Sequence, residues 1–317
     1  MGKYILKRAS YMIFTLFIIV TATFFLMNAM PGDPISQQAR KMPPEMQQML
    51  RHKYGLDKPI AERWIMYLKQ LLHGNFGDSF VTPGFSVNEI IKYKMPASAW
   101  IGIQAVIVGL LIGVILGIIA AFRRNTTADY IVMFIAILGV SVPGFVIAFL
   151  LQTVLGGKGN IPIAGWKSAS ETFAQGLRFT ILPTIALCFG SIATYARYMR
   201  TSVLDVINQD YILTAQAKGI SRIAVAVKHV IRNAIIPIVT ILGPQIATII
   251  TGTIVIERIF SIPGMGNSMI EAINSNDYNV ILGLTIFFSL LYIVSLLLVD
   301  ITYSLVDPRI SLTKKKK

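Results

Sequence analysis

Six stretches of the chain, 9–30, 97–122, 130–157, 179–196, 234–256 and 280–299, contain no Asp, Glu, Lys, Arg or His. A helix needs roughly 20 apolar residues to cross the hydrocarbon core of a bilayer, and a charge at its centre costs about 2.5–3.5 kcal/mol. The pattern therefore predicts an all-α membrane protein with six transmembrane helices. The polar remainder falls into an amino end, 1–8, a long segment, 31–96, a loop, 197–233, and a basic tail, 300–317, with shorter connections between them. The first stretch reads as an uncleaved span. It exceeds the roughly 7–15 residues of a secretory signal's apolar region, and Pro31-Gly32-Asp33-Pro34 follows it instead of a small-residue cleavage site.

Within the spans the small residues have a period of their own. Ala105, Gly109, Gly113, Gly117 and Ala121 recur every fourth position, which places them on one helix face and predicts a seam for close approach of a second helix. Pro143, Pro183, Pro237 and Pro244 each remove a backbone donor, either as tolerated kinks or as the bends of a moving pore lining. Gln104, Gln152 and Gln245 either bond to neighbouring helices or face a water-filled path. The loop 197–233 is far longer than adjacent helices require, and it mixes apolar and charged residues at three- and four-residue spacing. Short amphipathic helices are expected there, with Gly219 after Lys218 as a helix stop. The segment 31–96 is turn-rich, with one helix-like stretch at 61–72.

Composition sharpens the picture. The 317 residues are 54% hydrophobic and 14% charged, with a mean hydropathy of +0.65, beyond what a water-soluble domain of this length sustains. The formal charge of +14 does not point to nucleic acid, because Lys and Arg collect in the connections between apolar stretches. Sixteen of them fall at 1–8, 123–129, 197–233 and 300–317, against four in 158–178 and 257–279, which puts both chain ends in the cytoplasm. The run Lys314 to Lys317 either lies against anionic lipid or is solvated. The single cysteine, Cys188, excludes an intramolecular disulfide and thiolate metal clusters.

The search for chemistry finds none. No ionisable group lies inside a span to serve as a proton or cation site, and Gly157-Lys158 does not belong to a phosphate-binding loop. His52, His73 and His229 have no metal-ligand spacing, so neither a metal site nor an enzyme is expected.

From end to end the chain resembles the first permease subunit of the oligopeptide, dipeptide and nickel branch of ATP-binding-cassette importers. The residues that carry the resemblance are Tyr195-Ala196-Arg197-Tyr198-Met199-Arg200, Asp210-Tyr211, and Thr214-Ala215-Gln216-Ala217-Lys218-Gly219. To these are added Arg232-Asn233-Ala234 with Pro237, Phe260-Ser261-Ile262-Pro263-Gly264-Met265-Gly266 and Val306-Asp307-Pro308-Arg309. Tyr54-Gly55-Leu56-Asp57-Lys58-Pro59 and Gly74-Asn75-Phe76-Gly77-Asp78-Ser79 resemble the family's external segment.

The resemblance implies a type I importer bundle with a small external domain at 31–96, in a bacterial cell membrane. It implies a cytoplasmic coupling loop in which Thr214, Ala215, Gln216, Ala217, Lys218, Gly219, Ile220 and Arg222 dock on an ATPase subunit. The general importer pattern puts Glu where Leu213 stands and Ala where Thr214 stands; Ala215 and Gly219 match it, and Pro237 lies five residues later than its counterpart. The turn Pro263, Gly264, Met265, Gly266 is expected on the face that meets a binding protein, or as a plain tight turn. The implied partners are a second related permease, two ATPases that use ATP and magnesium, and an external substrate-binding protein delivering peptide. No cofactor is expected on this chain. Nickel import by the same scaffold, or a self-contained secondary transporter or channel, are the alternatives.

Overall fold

The computed structural model describes residues 2–29, 43–82, 84–168, 170–251 and 254–306. The motifs at 31–34 and 306–309 and the Lys-rich tail lie wholly or partly outside them. Among the described residues the regular structure is entirely helical, with an isolated bridge between Asp78 and Ser86. Contacts divide the chain into two units, one of Met1–Ser98 with Pro263–Ile293, the other of Ala99–Ile262 with Val294–Lys317.

The first unit contains α1 (Gly2–Ala29), α2 (Pro44–Lys53), α3 (Ile60–Leu72), the opening turns of α4 (Val87–Phe122), α12 (Met265–Asn274) and the first half of α13 (Tyr278–Val306). Its interior joins Val20 and Phe24 of α1 to Tyr67 of α3 and to Leu282 and Ile286 of α13. Beside them Val87, Ala272, Val280, Ile281 and Leu284 form a second buried group. The turn-rich residues 75–82 are fastened to the start of α13 by Asp277, which is 3% exposed. Its carboxylate accepts from the Ser79 hydroxyl, from the Phe80 N–H at 3.1 Å and, as an N-cap, from the Val280 N–H at 3.4 Å. A Cβ on Gly283 would stand 2.8 Å from the Phe76 carbonyl oxygen, so glycine is what lets the loop lie against the helix.

The second unit is built around α7 (Phe173–Ile207). The four-residue stripe of α4 packs on it as the spacing predicts. A Cβ on Gly113 would meet the Tyr195 Cβ at 2.7 Å, and one on Gly117 the Ala196 carbonyl oxygen at 2.6 Å, while Ala105 and Ala121 are buried. The same device recurs on α5 (Thr127–Ser141), where a Cβ on Gly139 would stand 2.6 Å from that of Ala193. The three glutamines in the spans bond beyond their own helices: Gln104 accepts from Thr184 at 3.1 Å, Gln152 donates to the carbonyls of Ile163 and Ile259, and Gln245 donates to Ser191 at 3.1 Å.

The stretch 130–157 is not one straight rod. α5 and α6 (Gly144–Leu155) meet at 106° across Val142 and Pro143. Proline forces its predecessor out of the helical region, and Val142 is accordingly extended, with φ −90° and ψ 122°. A second bend, of 44°, separates α9 (Arg222–Ala234) from α10 (Ile236–Thr251), and α11 (Ile254–Ile259) follows. Among the described residues, four single helices are long and apolar enough to cross a membrane, or up to six spans if each bent pair is one. Their outer surfaces suit lipid: Ile13, Phe14, Leu26, Ile115, Ile137 and Phe149 are all more than half exposed.

Candidate functional site

The loop expected at 197–233 is mostly helix. α7 continues through Met199 and Val203, both fully buried, to Ile207, so its first third is an extension of the preceding span. After Asn208 and an extended Gln209 the chain turns into α8 (Asp210–Ala217), with Asp210 in the first turn, where a carboxylate suits the helix dipole. α8 has two faces. Ile212 and Ala215 are buried with Met199, Val203, Val225, Val230, Ala234 and Ile238. Leu213, Thr214, Gln216, Ala217 and Lys218 point outward.

Gly219 ends α8 as its position after Lys218 predicts, and the geometry explains why it is glycine. Its φ is +75°. The Gly219 N–H donates to the Gln216 carbonyl at 3.0 Å and the Ile220 N–H to the Ala215 carbonyl at 3.4 Å, the paired bonds of a Schellman cap. A Cβ there would touch nothing, so conformation and not crowding demands glycine. Ser221 then caps α9 by accepting from the Ala224 N–H at 3.4 Å. Ile220, before that cap, and Val225, four residues into the turn, enter the same apolar cluster, which fixes the angle between α8 and α9. Asn233 ties the two helices by donating to the Tyr211 hydroxyl at 3.1 Å. Within α9, residues Ala226–Ile231 are wound as π-helix.

The result is a braced corner. Its exposed side presents Thr214, Gln216, Ala217, Lys218, Gly219 and Arg222, while Ile220 is half-buried and Ala215 buried. Ile223 is 80% exposed and Leu213 60% exposed. An open groove of about 860 Å³ runs along it, lined by Phe122, Ile207, Gln216, Gly219, Ile223 and Val230 among others. The exposed surface of the corner thus combines the apolar side chains of Leu213 and Ile223 with the two cations Lys218 and Arg222.

A buried ion pair stands behind this corner. The Arg200 guanidinium donates to both carboxylate oxygens of Asp129, at 2.6 and 2.7 Å, and the Asn125 N–H adds a bond at 3.0 Å. The Asp129 side chain is 2% exposed and that of Arg200 22%. Arg200 and the Asn125 amide hold the Asp129 carboxyl below the usual carboxylate range. The pair joins the start of α5 to the extension of α7. In the sequence Asp129 is only one charge in a short connection; the 71 positions separating it from Arg200 give no local signal of pairing.

The turn Pro263, Gly264, Met265, Gly266 lies in the first unit. Gly264, Met265 and Gly266 are buried and Pro263 half-buried, and the Met265 N–H donates to the buried Ser98 hydroxyl at 2.8 Å. The turn thus anchors the start of α12 against α4, with little side-chain surface of its own. Among the described residues no group of three or more His, Cys, Asp or Glu converges to hold a metal ion.

Comparison with known proteins fits a transport component. Residues 113–312 match the model of the binding-protein-dependent transport system inner membrane component, and residues 1–90 match that family's membrane-component N-terminal model. The chain belongs to this family. It is also 42% identical over 313 residues, 98% of this chain and 100% of the relative, to the dipeptide transport system permease protein DppB of Lactococcus lactis. The DppB of Bacillus subtilis is 42% identical over 316 residues, 99% of this chain and 100% of the relative. The oligopeptide transport system permease protein OppB of Escherichia coli is 38% identical over 311 residues, 98% of this chain and 99% of the relative. As a binding-protein-dependent permease the chain is a multi-pass, all-α membrane component that works with ATPase and substrate-binding partners and is not itself the hydrolysing enzyme.

Proposed function

We propose that this chain is one of two related permease subunits of an ATP-driven importer of dipeptides or oligopeptides, assembled with two ATPases and an external binding protein. The near full-length similarity to dipeptide permeases supports the cargo. The observation that carries the mechanism is the braced corner of α8, Gly219 and α9. Ile212 and Ala215 bury one face of α8 on α7 and leave Thr214, Gln216, Ala217, Lys218 and Arg222 free to meet an ATPase. When ATP and magnesium draw two ATPases together, a corner fixed to α7 by a shared core moves with them and takes the span along. The Asp129–Arg200 pair passes the same movement to α5.

The six apolar stretches each cross the membrane on this reading, 130–157 and 234–256 as bent spans, with both chain ends in the cytoplasm. The segment 31–96 lies outside, toward the binding protein, and the buried turn 263–266 supports that side from within. The test is to purify the chain with its co-isolating subunits, reconstitute the complex, and follow ATP-dependent accumulation of a labelled dipeptide. Uptake that requires ATP and the binding protein is expected. Uptake of nickel in place of dipeptide, or dipeptide flux without ATPases, would overturn the assignment.

A further inference from the structure

We infer that α3, although part of the segment between the first two apolar stretches, is a lipid-contacting helix lying in the leaflet at the Ala29 end of α1. The evidence is where it packs and what its faces carry. The Trp64 ring lies edge-on to Phe17, with centroids 6.0 Å apart, and against Phe25 at 6.4 Å, while Tyr67 stacks on Phe24 at 5.9 Å. Phe17 is 12 residues before the end of α1, which at 1.5 Å per residue is about 18 Å along its axis. α3 therefore lies alongside the apolar part of α1 and not on top of it.

The faces of α3 sort accordingly. Trp64, Tyr67 and Leu71 turn toward α1, and the Trp64 indole nitrogen is buried without a hydrogen-bond partner, as in apolar surroundings. On one flank Ala61, Ile65 and Leu72 share a face at helical spacing, with Ile65 47% and Leu72 86% exposed, while Leu68 beside them is half-buried against the interior of Val20, Phe24 and Tyr67. On the far side lie Glu62 and Lys69, both exposed. Arg63, Met66 and Gln70 on the remaining flank line a polar cavity of about 130 Å³ together with Lys53, Asp78 and Asn279. One flank is thus apolar and open while the opposite one is polar, the arrangement of a helix in a membrane interface. Lipid is the occupant because α3 packs against α1, whose own surface is apolar and open, Ile13, Phe14, Phe17, Ile18 and Leu26 being 44–70% exposed.

That this leaflet is the external one rests on the orientation proposed above; contact with lipid does not. The test uses the assembled transporter in phosphatidylethanolamine and phosphatidylglycerol liposomes, with Cys188→Ala and a nitroxide at Ile65→Cys, Leu72→Cys or Gln70→Cys. All three positions are exposed, and dipeptide uptake checks assembly. Collision with dissolved oxygen should dominate at 65 and 72, and collision with an aqueous nickel chelate at 70, a difference of several-fold in the accessibility ratio. Equal access of the chelate at all three positions would overturn the inference in favour of a solvated lid. Exclusion of both agents at 65 and 72 would overturn it in favour of a protein partner. A side-selective aqueous quencher at position 70 separates these outcomes from an error of orientation.

Discussion

The Asp129 carboxylate is the side chain whose loss has the clearest physical consequence. Shielded from solvent and bonded bidentately by Arg200, it exchanges hydration for two charge-assisted bonds and one from the Asn125 amide. Asp129→Asn keeps the shape but leaves the Arg200 guanidinium short of its counter-charge. A loss of roughly 1–3 kcal/mol is expected, read as a lower unfolding temperature of the detergent-solubilised complex. Because the folded carboxyl titrates below its unfolded value, the pair's contribution is complete above about pH 4 and fades as pH falls through the folded pKa. The Asp129→Asn variant should therefore lose less stability on acidification than the parent. Identical acid sensitivity in the two would show that this pair contributes nothing to the pH dependence. At this scale Gly219 was legible in the sequence, since glycine after a lysine at the end of a periodic stretch marks a helix cap. Asp129 was not, because pairing across 71 positions leaves no trace in local pattern.

Among the elements, the contact between α4 and α7 is set by absent side chains. A methyl group on Gly117 would stand 2.6 Å from a backbone oxygen, and neither helix can yield there without moving along its length. Gly117→Ala and Gly113→Ala are expected to destabilise the complex by about 1–3 kcal/mol, lowering its unfolding temperature by several degrees. Gly144→Ala is the control, because the added Cβ would meet only the Ala186 carbonyl oxygen at an ordinary 3.8 Å. Equal stability of all three variants would mean that the helices are not in close contact. This seam could be read directly from its four-residue repeat, and so could short helices in the loop 197–233 with a stop at Gly219, though not the extension of the preceding span through Ile207. The 106° break at Pro143 could not. An uninterrupted apolar run has the same composition straight or bent, and the proline that decides the matter is also compatible with a mild kink. The role of the turn 263–266 was hidden for a related reason. Pro-Gly and Met-Gly pairs mark a tight turn, but only the hydrogen bond from Met265 to Ser98 places it in an interior.

For the molecule as a whole, the asymmetry of basic residues and the braced corner make one linked claim: the side rich in Lys and Arg is the side on which α8 and α9 meet the ATPases. A cysteine introduced at Thr214 in a Cys188→Ala background should react with a membrane-impermeant thiol reagent in inside-out vesicles stripped of bound ATPases, and not in intact cells. Labelling from outside the cell would reverse the orientation. The corner is also where the central claim can be tested most directly. Lys218→Glu inverts a charge on the exposed end of α8, and Gly219→Asp places a carboxylate on a backbone with a φ of +75°, each outside the apolar core that holds the helices together. In liposomes containing the full transporter, ATP hydrolysis and dipeptide uptake are measured side by side for both variants. The expected result is continued assembly in the membrane with uptake reduced at least tenfold relative to ATP hydrolysed; an unchanged ratio in both variants would contradict the coupling role of the corner.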